Sequence, residues 1–185
     1  MPLPPPAARR QLAHTRSVEI KGYRREDGLW DFEAQLADVK TADCTLASGV
    51  RAAGDPVHLK WIRLSVDRDF NIVDAAVASD ANPYPGFCEP IVPEYRALVG
   101  LNLLSGFRKA VLERFANVQG CTHLNELLSQ FPTAALQCFA GERRDTDDSG
   151  GKPFQLDRCH ALDTRGEGVR RYYPRWFRRE KTGTD

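Results

Sequence analysis

The side chains best suited to chemistry in this sequence lie close together between Gly120 and Leu128. A thiol, an imidazole and a carboxylate follow one another there, at Cys121, His123 and Glu126. Thiolates act as nucleophiles, and imidazoles and carboxylates exchange protons near neutral pH. The segment therefore predicts a reactive or metal-binding site, and the plainer alternative is a capped core helix with an ordinary buried cysteine.

The same segment has the pattern of a helix start. Apolar residues recur at helical spacing, at Leu124, Leu127, Leu128 and Phe131. Thr122 is expected to cap the helix, because its hydroxyl can accept a bond from a free backbone N–H. Cys121 would then lie just before the helix, where those N–H groups and the helix dipole favour a thiolate. His123 and Glu126 are three residues apart, so they share the face opposite the apolar residues.

Metal-free catalysis would draw its acids and bases from groups that the fold has to bring together. The candidates are His123, Glu126, His14 and His160, with Cys121 as the nucleophile. This is the interpretation that the residue types favour most.

A metal site is a second interpretation of the same residues. Its predicted ligands are Cys121, His123, Cys159 and His58, with Cys88 and His160 as further alternatives. Thiolate and imidazole are the ligands that Zn²⁺ prefers, and a site with three protein ligands leaves a position for water or substrate. The spacing differs from the usual Cys-x₂-Cys, so the expected cofactor is either none or zinc.

The substrate-binding residues are predicted from charge and ring character. Arg16, Arg24 and Arg25 could hold an anion through bidentate contacts, and Trp30 and Tyr173 could contact an aromatic ring. Together these side chains suit a small aromatic carboxylate.

The first part of the chain reads as β-strands. Alternation from Leu12 onward places His14 and Arg16 on one strand face with Val18 and Ile20. A hairpin turn is expected at Asp27-Gly28, because glycine readily takes the positive φ that tight turns need.

Three further strands are expected before residue 80. The clearest has Trp30, Phe32, Ala34 and Leu36 on its buried face. Residues 41–56 read as a loop. Apolar residues change phase just after His58 in the next strand, over 57–67, which predicts either a β-bulge or a strand that is buried on both faces. The fourth strand spans 70–78.

Helical spacing dominates the middle of the sequence. One helix is predicted from Glu94 to Phe115 with a bend at Ser105-Gly106, and the next is expected to kink at Pro132. Residues 154–162 read as a strand or an extended arm. Strands followed by helices predict an α+β fold, with an antiparallel meander, two main helices on one face and a C-terminal arm.

Length and composition set the broad class. The 185 residues suit one α+β domain over 11–178, with a disordered lead at 1–10 and a disordered tail at 179–185. The 26 basic and 25 acidic residues nearly balance, so neither nucleic acid nor a membrane surface is an expected partner. The five cysteines follow no disulfide framework, which indicates free thiols and a cytoplasmic protein. A homodimer stays an open alternative.

Several segments together resemble a known family. They are His14-Thr15-Arg16, Gly22 to Asp31, Gly120-Cys121-Thr122-His123-Leu124, Asp157 to Leu162, and Tyr173-Pro174-Arg175. The chain resembles, over roughly residues 10–178, a bacterial family catalogued as domain of unknown function 2889. Glu26 stands where that family often has Asp. The resemblance implies one compact bacterial domain and supplies no mechanism.

The residues therefore predict a small-molecule enzyme, and the alternative is a non-catalytic ligand-binding or protein-interaction module. Neither a Gly-rich phosphate loop nor a serine elbow occurs in the sequence. Acid–base groups then suit a cofactor-independent or zinc-assisted lyase or hydrolase acting on a small carboxylate. A retro-aldol-like carbon–carbon lyase in the breakdown of aromatic compounds is favoured over a hydrolase.

Overall fold

A computed structural model of the protein describes residues 3–140, 151–153 and 155–178. The chain divides into two compact units, residues 1–136 and 137–185, and each is described by itself. The predicted tail at 179–185 lies outside the described residues. The single domain predicted over 11–178 stays a prediction.

The secondary structure is mixed, and the predicted α+β class is confirmed. The strands are β1 (His14–Arg24), β2 (Trp30–Lys40), β3 (Cys44–Leu46), β4 (Gly49–Arg51), β5 (Pro56–Val66) and β6 (Ile72–Ala81). The helices are α1 (Phe107–Phe115), α2 (Thr122–Ala140) and α3 (Glu167–Tyr172), with 3-10 helices at Glu89–Leu98, Asn117–Gln119, His160–Leu162 and Pro174–Trp176.

Four strands form an antiparallel sheet in the order β1-β2-β5-β6. The register places Arg16 of β1 opposite Asp38 of β2, and Asp38 opposite His58 of β5. Directly paired residues point to the same face of a sheet, so these three side chains form one cross-strand row. The register shifts next to this row, between Asp38 and Val39.

One face of this sheet supplies about half of the core of the first unit. Even-numbered residues of β2 and β5 are buried there, among them Phe32, Leu36, Ile62 and Leu64. The apolar residues predicted for α2 are also buried, namely Leu124, Leu127, Leu128 and Phe131. The register of β5 shifts on both sides of His58. Against β2 the extra residue is Val57 of β5, which precedes His58, and against β6 the shift between Leu59 and Lys60 comes from an extra residue in β6, Asp80.

Three local predictions were wrong. Residues 41–56 are not simply a loop, because β3 and β4 form a small hairpin there. The single helix predicted from Glu94 to Phe115 is a 3-10 helix and α1, separated by the positive-φ glycines 100 and 106. The described residues of the 154–162 segment form turns and a short 3-10 helix rather than a strand.

The N-terminus of α2 is fixed to the rest of its unit by Tyr95. The Tyr95 hydroxyl accepts a bond from the Cys121 N–H at 2.8 Å and donates to Asn125 Oδ1 at 2.9 Å. The Asn125 amide in turn donates to the Phe115 carbonyl oxygen at 2.7 Å. Burial raises the pKa of Tyr95 to about 12, so the hydroxyl keeps its proton and this arrangement holds at neutral pH.

Candidate acid–base centre at Asp38

Asp38 is a buried carboxylate near the end of β2. It continues the even-numbered series that holds Phe32 and Leu36 in the core, and its side chain is only 5% exposed. A buried charge is costly unless it is paired and hydrogen-bonded. The surroundings of Asp38 meet that requirement.

Four donors from two neighbouring strands surround the two Asp38 oxygens. Arg16 makes a bidentate contact, from Nε to Oδ1 and from Nη2 to Oδ2, both at 2.8 Å. His14 Nε2 lies 2.9 Å from Oδ1, and His58 Nδ1 lies 3.0 Å from Oδ2. The strand register brings the three residues that carry these donors to the same face as Asp38.

The ionisation of Asp38 fixes the protons on its histidine partners. Burial raises the pKa of Asp38, but the hydrogen bonds and charge of Arg16, with His14 and His58, outweigh it and lower that pKa to about 2. Asp38 is then an acceptor only at neutral pH. The facing nitrogens, Nε2 of His14 and Nδ1 of His58, must therefore carry the hydrogens.

His58 is neutral at physiological pH. Burial and the nearby rings and charges of His123 and Lys60 lower its pKa, the attraction of Asp38 opposes this, and the result is about 4. A neutral imidazole with its hydrogen on Nδ1 leaves Nε2 with a free lone pair. His58 can therefore accept a proton or bind a metal through Nε2.

The first turn of α2 adds His123 to the centre. His123 Nε2 lies 3.6 Å from Asp38 Oδ2, and its ring centroid is 3.8 Å from that of His58. Its other nitrogen, Nδ1, lies 3.9 Å from Cys121 Sγ. His123 thus lies between a thiol and a carboxylate.

Cys121, not Thr122 as predicted, is the N-cap of α2. The Cys121 carbonyl oxygen accepts the first helical bond, from Asn125 N at 2.9 Å, and Thr122 is already helical. Burial raises the pKa of the thiol, but the His123 ring and the N–H groups of Leu124 and His123 outweigh it and leave that pKa below its usual value. The helix start therefore favours the thiolate.

Gly120 is required by close packing before this helix start. A Cβ at Gly120 would lie 2.2 Å from the Phe115 carbonyl oxygen and 2.7 Å from Phe115 Cβ. The φ of Gly120 is −156°, an extended value that any residue adopts, so the constraint is steric. The absence of a side chain lets the chain approach Phe115 closely just before Cys121.

Glu126 lies one turn further along α2. Its Oε2 accepts a bond from Arg16 Nη1 at 2.5 Å, and its side chain is 47% exposed. Arg16 therefore bridges Asp38 and Glu126 and joins the sheet to the helix. Among the predicted residues, the structure brings together His14, Arg16, His58, Cys121, His123 and Glu126.

Three predicted substrate-binding residues lie at the opposite end of the sheet. Arg24 is eight residues from Arg16 along β1, which at about 3.4 Å per residue is about 27 Å. Arg24 pairs with Trp30, a core residue, and Arg25 binds Asp27 at the hairpin turn. Strand length alone separates these residues from Asp38, so we do not assign them to the centre.

The predicted residues Cys159, His160 and Tyr173 belong to the C-terminal unit. Cys159 and His160 line a cavity of about 620 Å³ within that unit, and Tyr173 accepts a bond from Gln155. Cys88 precedes the 3-10 helix at Glu89–Leu98 and is half-buried. The roles predicted for these residues stay predictions.

One group of side chains in the described part of the chain could hold a metal ion. It consists of Asp38, His58 and His123, whose ligand atoms lie within 4.8 Å of one another. Tetrahedral zinc, with ligands at about 2.1 Å, places ligand atoms about 3.4 Å apart. The 3.6 Å between Asp38 Oδ2 and His123 Nε2 fits that spacing. The 3.0 Å between Asp38 Oδ2 and His58 Nδ1 is also close to it, but Nδ1 would first have to give up the hydrogen that it donates to Asp38. The group shares His58 and His123 with the predicted metal ligands and has Asp38 in place of the cysteines.

Sequence reasoning missed Asp38, the carboxylate of the centre, and Lys60, a buried residue on β5 next to the centre. Asp38 could have been recognised because it continues the alternating buried positions of one strand face, which are Trp30, Phe32, Ala34 and Leu36. The signal for Lys60 was a cation in the phase of Ile62 and Leu64. An ionisable residue at a position of the buried face needs hydrogen-bonding partners. Where other strands supply those partners, a cluster of polar side chains forms inside the sheet.

Comparisons with known proteins give one match. The family described as Protein of unknown function (DUF2889) matches residues 14–137. No curated protein and no solved structure matches the chain. Within the described residues, no helix is both long and apolar enough to cross a membrane. The matched range contains every residue of the Asp38 centre, and the C-terminal segments that also carried the resemblance lie beyond it. The chain belongs to the DUF2889 family.

Proposed function

We propose that this protein is a small-molecule enzyme, a lyase or hydrolase acting on a small carboxylate at the Asp38 centre. The observation that carries the proposal is the convergence of three imidazoles and a thiol around one buried carboxylate. Groups of this kind exchange protons and attack electrophilic carbon.

The geometry supports a division of roles within the centre. Asp38 orients the imidazoles and stabilises positive charge on them, as a carboxylate does behind a catalytic histidine. His123 lies between Asp38 and Cys121, so it can take the thiol proton or return it. His58 is neutral and can accept a proton at Nε2, and its low pKa makes it a weak base that would hold that proton only transiently.

A retro-aldol-like cleavage would use these groups in sequence. The base removes the proton from a substrate hydroxyl, a carbonyl forms, and the adjacent carbon–carbon bond breaks. The electron pair remains on the departing carbon, which takes a proton from His123 or Cys121. In a hydrolase, the Cys121 thiolate would instead attack the acyl carbon of an ester or amide, and the alcohol or amine would leave with a proton from His123. Water would then cleave the thioester, releasing the acid and restoring the thiol.

A zinc-assisted enzyme is the second candidate, because the spacing of Asp38, His58 and His123 suits a tetrahedral ion. Bound zinc would activate water or polarise a substrate oxygen. We place it second because Arg16 already binds both Asp38 oxygens. A metal ion at those oxygens would lie beside the guanidinium charge.

The test is turnover by the purified chain on a panel of small carboxylates, including hydroxylated aromatic acids. Cys121→Ser and Asp38→Asn are expected to lower turnover at least 100-fold, a loss typical of a missing catalytic group. Asp27→Asn is the matched control, because it makes the same change in an ion pair at the hairpin turn.

Metal content separates the two candidates. Elemental analysis near one zinc per chain, with turnover lost on chelation and restored by zinc, would favour the second candidate. Equal turnover by Asp38→Asn and Asp27→Asn would contradict both and leave the non-catalytic binding module.

A further inference from the structure

Lys60 is a buried cation next to the centre that the proposed chemistry does not use. It is 1% exposed, and its Nζ donates to Ser79 Oγ and Asn82 Oδ1. An ammonium group has three N–H donors. Among the described residues the third donor has no acceptor.

No carboxylate pairs directly with Lys60 in the described part of the chain. The nearest link to a negative charge runs through Asn82, whose amide donates to Glu89 Oε1 at 2.8 Å. An ammonium group buried beside neutral oxygens alone is costly. The arrangement therefore favours an anion that completes the Lys60 contacts.

The position of Lys60 puts that anion in the Asp38 centre. Lys60 follows His58 by two residues on β5, so both side chains point to the same face about 7 Å apart along the strand. Lys60 pairs with Leu36. This pair is the next one on the same face after the Asp38–His58 pair and lies two residues nearer the middle of both strands. Its charge acts on both His58 and Cys121.

Two of the three arginines expected to bind the substrate anion already have carboxylate partners. Arg16 binds Asp38 and Glu126, and Arg25 binds Asp27 and Asp31. Among the described residues of this face, Lys60 is a fully buried cation with a donor left over, whereas Lys40, two residues beyond Asp38 on β2, is only half-buried.

We infer that Lys60 binds the carboxylate group of the substrate beside Cys121 and so selects small carboxylic acids over their neutral analogues. The inference rests on the proposed function, because it concerns the substrate of the same site. Hydrogen bonds to charged groups are stronger than neutral ones, and burial strengthens them further.

Two alkylating reagents test this selectivity without a known substrate. Iodoacetate carries a carboxylate and iodoacetamide is its neutral analogue, and both attack the same thiolate. The ratio of their rate constants therefore cancels the thiolate fraction. In the full-length protein, mass spectrometry is expected to give a ratio at Cys121 about tenfold or more above the ratio at exposed Cys159.

Two substitutions at Lys60 and one control identify the source of the selectivity. Lys60→Met is expected to reduce the ratio at Cys121 to that at Cys159, and Lys60→Arg to keep most of it. Lys40→Met removes the same charge two residues beyond Asp38 on β2 and should leave the ratio unchanged. An unchanged ratio in Lys60→Met, or an equal fall in Lys40→Met, overturns the inference.

Acetate binding gives a second readout that needs neither a reactive thiol nor a folded Lys60 variant. In Cys121→Ser, acetate should shift the ring resonances of His58 and His123 saturably, and chloride at equal ionic strength should not. Equal responses to both salts overturn the inference. A wild-type Cys121 that resists iodoacetamide contradicts the proposed nucleophile instead, and acetate then decides the role of Lys60.

Discussion

Among the single residues of the centre, Asp38 determines the charge and the hydrogen bonding of its neighbours. One carboxylate with a pKa of about 2 holds Arg16 by two bonds and fixes the protons of His14 and His58. The sequence suggested the histidines, because their residue type signals chemistry by itself. It did not suggest Asp38, because an aspartate at a strand end is usually exposed to solvent.

His58 makes the fold sensitive to acid. Its pKa is lowered to about 4 in the folded chain, against about 6.5 when unfolded. Between these values the unfolded chain binds a proton that the folded chain does not. Folding stability therefore falls as the pH decreases from 6.5 to 4, by at most about 3 kcal/mol.

The substitution His58→Asn tests this sensitivity, since its amide can replace Nδ1–H toward Asp38 and does not titrate. Urea unfolding at pH 7 and pH 4.5 should show a smaller stability difference in the variant than in the wild type. His160→Asn makes the same change at an exposed histidine and should retain the wild-type difference. A His58→Asn protein as acid-sensitive as wild type would contradict the assigned pKa.

The sheet and the helix α2 position the reactive groups. The register of β1, β2 and β5 aligns Arg16, Asp38 and His58 in one row, and the start of α2 adds His123 and Cys121. The alternation of β1 and β2 and the apolar spacing of α2 were predictable, because period 2 and period 3.6 belong to local sequence. The register was not, since pairing between distant strands depends on tertiary packing.

Gly120→Ala tests the dependence of the centre on the start of α2. The new Cβ would overlap the Phe115 carbonyl oxygen at 2.2 Å, so the backbone must shift. Overpacking of this kind costs about 1–3 kcal/mol and would move Cys121 and His123 away from Asp38. The melting temperature and the rate of Cys121 alkylation should both fall.

A matched glycine supplies the control for that substitution. An added Cβ at Gly151 meets nothing within 4 Å, so Gly151→Ala should melt and react as the wild type does. Alkylation of Gly120→Ala at the wild-type rate would mean that the close approach to Phe115 does not position the thiol.

In the molecule as a whole, the residues matched by the family include all the residues of the centre. Residues 14–137 belong to the DUF2889 family, and the centre runs from His14 to Glu126. The fold class was predictable from the order of strands and helices. The C-terminal unit was not, because its short helices around Ala161 and Val169 have too few residues to establish a period.

The reactivity of Cys121 tests the central claim most directly, because it needs neither a substrate nor a metal. Iodoacetamide rates are measured across pH for each cysteine of the full-length protein. We expect Cys121 to react faster than exposed Cys159 at neutral pH, and its apparent pKa to lie below that of an ordinary thiol. His123→Gln should remove both differences. A Cys121 that reacts more slowly than Cys159, with an apparent pKa at or above the ordinary value, would contradict the account.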